Sequence, residues 1–203
     1  MNFLRKYGPV FLASISIAAL DGADKKDEGF RPGPASSYSN RQKMAGIVAA
    51  AVPYITSEQS KQAFDKVHPY EHGALPILFL IENTTSHTID LKRMRAVYID
   101  ASRNKLSAIP ANEVKFLKAP EQPKPNVSGL PKFKKKNPLA AVEIEGRAFA
   151  AKMLPPGESA HGFFYYPTDH RAGALLYVSG MIDATTGEEL FYMEIPLPEI
   201  PGH

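Results

Sequence analysis

Apolar residues gather in short runs along this chain, with turn residues between them. The run "ALPILFLIEN" at 74–83 sets Leu and Ile around Phe79, is closed by Asn83-Thr84-Thr85, and predicts a buried strand. "LKRMRAVYID" at 91–100 behaves differently, alternating Met94, Ala96 and Tyr98 with Arg93, Arg95 and Val97, the pattern of a half-buried strand. "ASRN" then supplies a turn and "KLSAIP" the returning hairpin partner. Upstream, "AGIVAAAVPYIT" at 45–56 predicts a strand closed by Pro53. Thr56 and Gln59 have the spacing of a capping box, so a short helix should run from Thr56 to about Lys66 with Ala63, Phe64 and Val67 on its apolar side.

Toward the C-terminus, "GRAFAAKML" predicts a strand that turns through "PPGES" and returns as "AHGFFYYP". Pro156 and Gly157 suit the two central positions of a type II turn. "ALLYVSGMID" should meet "EELFYMEIPL" across "ATTGE", where Gly187 can take positive φ. Short strands punctuated this often describe an antiparallel sandwich or barrel.

The N-terminus reads as a secretory signal over 1–18. Arg5 and Lys6 form its basic region and "PVFLASISIAAL" its apolar region, with cleavage expected after Ala18 or Ala19. That apolar stretch is short of the roughly 20 residues that span a bilayer, so no transmembrane helix is expected in the mature chain. "DGADKKDEGFRPGPASSYSN" makes 19–43 a flexible spacer, 44–200 is the folded domain, and the Pro/Lys-rich stretch 118–138 is a long loop. Formal charge is +3 and falls to +1 without Arg5 and Lys6, which excludes a global basic field for nucleic acid. The chain has no cysteine; a lipid-anchored lipoprotein needs one, and a secreted domain without disulfides must be held by its core. The expected place is therefore the periplasm or the medium.

Candidate chemistry is sparse. His68, Glu71 and His72 have the H-x-x-E-H spacing of one class of zinc peptidases. Pro69 biases His68 away from the α region, and Gly73 and Pro76 oppose a downstream helix, so a solvent-exposed loop is the expectation. "GESAHG" has one residue too many between Ser159 and Gly162 for a nucleophile elbow and sits in a turn before a strand, so Ser159 and His161 are not expected to act together. In "GFFYYP" the alternation sends Phe163 and Tyr165 to one face and Phe164 and Tyr166 to the other. Phe164 and Tyr166 are thus a candidate partner surface. Lys132, Lys134, Lys135 and Lys136 around Phe133 are a second, suited to anionic surfaces. Asn83 and Asn126 begin glycosylation-acceptor patterns. No phosphate-binding loop, dinucleotide fingerprint or Cys/His array is present, and no cofactor is expected.

"LPILFLIENTTSHTIDL" and "MLPPGESAHGFFYYP", with the closing hairpin, resemble uncharacterised secreted bacterial proteins with an immunoglobulin-like β-sandwich domain, over roughly 45–198. The resemblance implies a mainly β fold, an antiparallel immunoglobulin-like β-sandwich with one or two short helices, and it transfers no catalytic residue. The expected function is non-catalytic: a binding or structural module whose partner is a protein or glycan of the cell envelope. The alternatives are a metal-dependent hydrolase using His68 and His72, or an electrostatic binder acting through the lysine loop.

Overall fold

The computed structural model describes residues 30–117 and 137–199. In chain order the elements are β1 (Gln42–Met44), β2 (Ile47–Pro53), α1 (Ser57–Phe64), β3 (Leu75–Asn83), β4 (Ile89–Asp90), β5 (Arg95–Ile99), β6 (Lys105–Ser107), α2 (Val142–Gly146), β7 (Met153–Leu154), β8 (Ser159–Tyr166), β9 (Leu175–Ser179), β10 (Ile182–Asp183) and β11 (Met193–Pro196). The protein is mainly β, with three antiparallel sheets ordered β1-β2-β3-β8, β11-β9-β5-β6 and β10-β4-β7. Among the described residues no helix is long and apolar enough to cross a membrane.

Strand periodicity explains the layering. Ile47, Ala49 and Ala51 of β2, with Leu75, Ile77, Phe79 and Ile81 of β3, face Ala96, Tyr98, Leu176, Val178, Met193 and Ile195 of the second four-stranded sheet. The alternate positions, Val48, Ala50, Leu78, Leu80, Phe163 and Tyr165, form a second core under Phe64 of α1, Ile144 of α2, Val114 and Leu139. The central strand is therefore covered on both sides, and an uninterrupted apolar run is what such a strand needs.

Phe163 anchors that second core, with ring centroids 4.7 Å from Phe64 and 5.0 Å from Tyr54. Pairs of this kind contribute about 0.5–1.5 kcal/mol beyond the area they bury. Two buried phenols tie β8 to both neighbouring layers: Tyr165 Oη donates to the Ile144 carbonyl at 2.7 Å, and Tyr166 Oη to the Ala96 carbonyl at 3.2 Å. The α1 cap forms as its sequence requires, with Thr56 Oγ1 accepting from Gln59 N while Gln59 Oε1 accepts from Thr56 N.

Three expectations need correction. "GRAFAAKML" is not the hairpin partner of β8, which pairs with β3 along Leu75 to Glu82. Only Met153–Leu154 is strand, and it pairs with β4. Residues 147–149 instead cross the outer edge of β8, where Phe149 N donates to Phe163 O at 3.0 Å and Phe163 N to Arg147 O at 2.8 Å. Gly162 makes this crossing feasible, because a Cβ there would sit 2.5 Å from the Phe149 Cα. The crossing segment also covers an edge that would otherwise offer free backbone groups.

Second, "ALLYVSGMID" is not one strand: it breaks at Gly180 (φ 78), leaving β9 to pair with β11 and sending β10 into the third sheet. Gly187 does take positive φ, at 75°. Third, 30–43 is no free spacer. Ala35 is buried, Ser36 N and Oγ donate to Glu82 Oε1, and Asn40 Nδ2 donates to Ala51 O at 2.7 Å and Pro196 O at 2.8 Å, bridging β2 and β11. A Gly/Pro/Ser-rich composition hid these few specific contacts. The expected signal peptide at 1–18 and spacer residues 19–29 lie outside the described residues.

Candidate binding groove

The H-x-x-E-H segment forms a single 3-10 turn, Tyr70–His72, ended by Gly73 at φ 82. Zinc-peptidase chemistry needs two histidines one α-helical turn apart on a shared face, and a three-residue turn before a strand does not provide that. Among the described residues no three His, Asp or Glu side chains are grouped to hold a metal ion. His68 Nδ1 is buried without a hydrogen-bond partner among those residues. Tyr70 performs a packing role here, its Oη accepting from His170 N at 3.2 Å. Burial holds the His170 imidazole below its ordinary range.

The "PPGES" turn closes with Glu158 N donating to Pro155 O at 3.2 Å and Gly157 at φ 73. Ser159 and His161 are both exposed on the strand that follows it. Asn83 is 1% exposed, and its Nδ2 donates to the His87 and Leu154 carbonyls. The folded chain therefore withholds the Asn83 acceptor pattern. Asn126 and Lys132, Lys134, Lys135 and Lys136 lie outside the described residues.

The two members of the aromatic candidate surface separate. Tyr166 is 0% exposed and presents no surface. The expectation assumed that β8 has a wet side, but the second sheet covers Tyr166, whose ring lies 5.8 Å from Tyr98. Phe164 is half-buried and stands at the end of the sheet interface. There it stacks on Phe149 at 5.4 Å and 28° between planes, with the buried Phe79 ring beneath at 5.7 Å from Phe164 and 5.3 Å from Phe149.

Phe149 and Phe164 line a groove of about 570 Å³. One side is the 149–152 segment that continues from the β8 crossing; the other is the β4–β5 connection with Leu91, Lys92 and Met94. Leu91 N donates to Lys152 O at 2.9 Å and joins the two sides, while Met94 N donates to Leu91 O at 3.0 Å within the β4–β5 connection. Its lining combines phenyl, thioether and methyl groups with the side chains of Lys92 and Lys152. Lys92 Nζ is 3.5 Å from Asp90 Oδ2. The Lys92 backbone N–H, and then its ammonium, hold the Asp90 carboxyl below its usual range. Lys152 has no carboxylate within ion-pair distance among the described residues. Such a lining can stack a flat or extended apolar body and attract a negative group. Phe149 and Met94 were not singled out in the sequence, because Phe149 sits in a segment patterned like a strand and Met94 in a strand whose even positions face inward.

No family model matches this chain, and no curated protein matches it. Solved structures give weak likenesses. A candidate lipoprotein from Bacillus subtilis aligns with a TM-score of 0.37 at 10% identity, over 78% of this chain and 39% of that one, so this chain spans well under half its length. A structural-genomics target aligns with a TM-score of 0.33 at 15% identity, over 77% of this chain and 89% of that one. A candidate ApaA protein from Bordetella pertussis gives 0.29 at 13%, over 76% and 95%. Likenesses at this level fix neither a fold family nor a function.

Proposed function

We propose that this chain is a secreted or cell-envelope immunoglobulin-like module that binds a small amphipathic anion in the Phe149–Phe164 groove and performs no catalysis. Strand order supports the fold part of this reading. β2-β3-β8 follows the A-B-E order of an immunoglobulin sheet, and β11-β9-β5-β6 the G-F-C-C′ order of its partner. The basic, apolar and small-residue signature at 1–19 supports secretion.

One observation carries the binding part: two stacked phenyl rings are left half-exposed in a concave site although every other ring of the β8 aromatic run is buried. A volume of about 570 Å³ suits a small molecule, and Lys152 complements a negative group on it. Among the described residues the lining offers contact and charge, its ionisable side chains being the amines of Lys92 and Lys152.

Fluorescence titration with anilinonaphthalene sulfonate, an aromatic body bearing one sulfonate, tests the reading. Saturable binding should weaken roughly tenfold in Phe164→Ala and in Lys152→Glu, and should persist in Phe191→Ala, which alters a ring exposed elsewhere. Equal affinity in parent and Lys152→Glu, an exposed change that leaves the core alone, would refute the groove as the site.

A further inference from the structure

We propose that the corner between β5 and β9, enclosed by Arg93, Arg95, Ser179 and Gly180, is a second site that binds a single small oxyanion: a phosphate, sulfate or carboxylate group. It is separate from the groove. Lys92 and Met94 line the groove, whereas Arg93 and Arg95 line a different pocket, of about 290 Å³.

The backbone builds this corner tightly. Arg95 is the register partner of Ser179, at the end of the β5–β9 ladder. Gly180 follows at φ 78, and a Cβ there would collide with the Arg93 carbonyl. The chain at 179–180 therefore lies close against the Arg93 backbone, and Ser179 lines the same pocket as both arginines.

The charges are unbalanced. Two guanidinium side chains, Arg93 from the β4–β5 turn and Arg95 from the first position of β5, line one small pocket. Neither pairs with a carboxylate among the described residues, where the ion pairs are His87–Asp183, Lys92–Asp90, Lys115–Glu145 and Arg171–Asp100. Glu189 lines the same pocket, but its Oε1 accepts from Gly180 N at 3.1 Å. Two positive groups against that one carboxylate leave a net positive pocket. Guanidinium forks match oxyanion geometry and bind it bidentately, and about 290 Å³ has room for such a group.

The test is an amide NMR titration of the full chain with inorganic phosphate, at ionic strength held constant with sodium chloride so that general screening is matched. The expected result is saturable shifts at Ser179 and Gly180. Affinity should fall roughly tenfold or more in Arg93→Gln and in Arg95→Gln, and hold in Arg171→Gln, an exposed arginine elsewhere. Both pocket arginines are exposed, so their replacement leaves the core intact. Parallel titrations with sulfate and acetate separate the sources: tighter phosphate binding assigns a phosphoryl ligand, tighter acetate a carboxylate. Shifts spread evenly over basic surface residues, or unchanged affinity in Arg95→Gln, would overturn the proposal.

Discussion

Gly162→Ala places a methyl group where the backbone of 148–149 already lies. The new Cβ would be 2.5 Å from the Phe149 Cα, 2.6 Å from its N and 2.9 Å from the Ala148 carbonyl carbon. All three are backbone atoms, so no side-chain rotation relieves the contact and the crossing segment must move. Two hydrogen bonds fasten that segment to β8, from Phe149 N to Phe163 O and from Phe163 N to Arg147 O. At about 0.5–1.5 kcal/mol each, losing both costs about 1–3 kcal/mol. For a chain of this length a loss near 2 kcal/mol lowers Tm by roughly 4–8 °C.

The sign of the change is decisive. Where the backbone and the space permit it, Gly→Ala stabilises by about 0.4–1 kcal/mol through the unfolded chain. Equilibrium urea unfolding should therefore show a clear loss for Gly162→Ala, accompanied by weaker binding in the groove because Phe149 is displaced. A variant as stable as the parent, or more stable, would refute the crossing of β8 by 147–149, and with it the origin of the groove.

Thr56→Ala removes the side-chain acceptor for Gln59 N and should cost about 1 kcal/mol in the same assay; an effect within about 0.3 kcal/mol would show that the cap does not matter to the fold. Asp183 joins the two loops at one end of the molecule. Hydrogen bonding from His87 at 2.7 Å, then from the Thr185 and Thr186 amides, holds its carboxyl below the ordinary 3.8. Its contribution to stability is thus present above 3.8 and is lost as pH falls through the lower folded value. Acid unfolding should accordingly be shallower for Asp183→Asn over that window, and superimposable curves for variant and parent would contradict the assignment.

Much of this architecture could be read from the chain because local and tertiary preferences agree. β3 is apolar at every position from Leu75 to Ile81, since both its faces are buried. Thr56 and Gln59 cap α1 without help from the rest of the fold. The misread regions are those where tertiary contacts overrule local pattern. "GRAFAAK" has strand-like composition, yet Gly162 opens a path across β8 and the segment takes it. The segment 30–43 looks like a spacer, and single residues such as Ala35 and Asn40 fix it. Tyr166 could not be assigned to the core without knowing that a second sheet lies over β8. The groove was the least legible feature of all. Phe149, Phe164 and Met94 come from three separate segments, and no spacing in the sequence links them.

The claim that a ligand occupies the groove is tested most directly at Met94. Carbon-13 labelling of the methionine methyl groups gives it a probe inside the groove, with exposed methyls at Met44 and Met153 and a buried one at Met193 as internal references. Titration with anilinonaphthalene sulfonate should shift the Met94 methyl strongly and saturably, with ring-current displacement and contacts to the Phe149 and Phe164 rings. The Met44 and Met193 methyls should stay in place. Saturable shifts at Met44 with Met94 unmoved would contradict the account, and would place binding on another face of the protein.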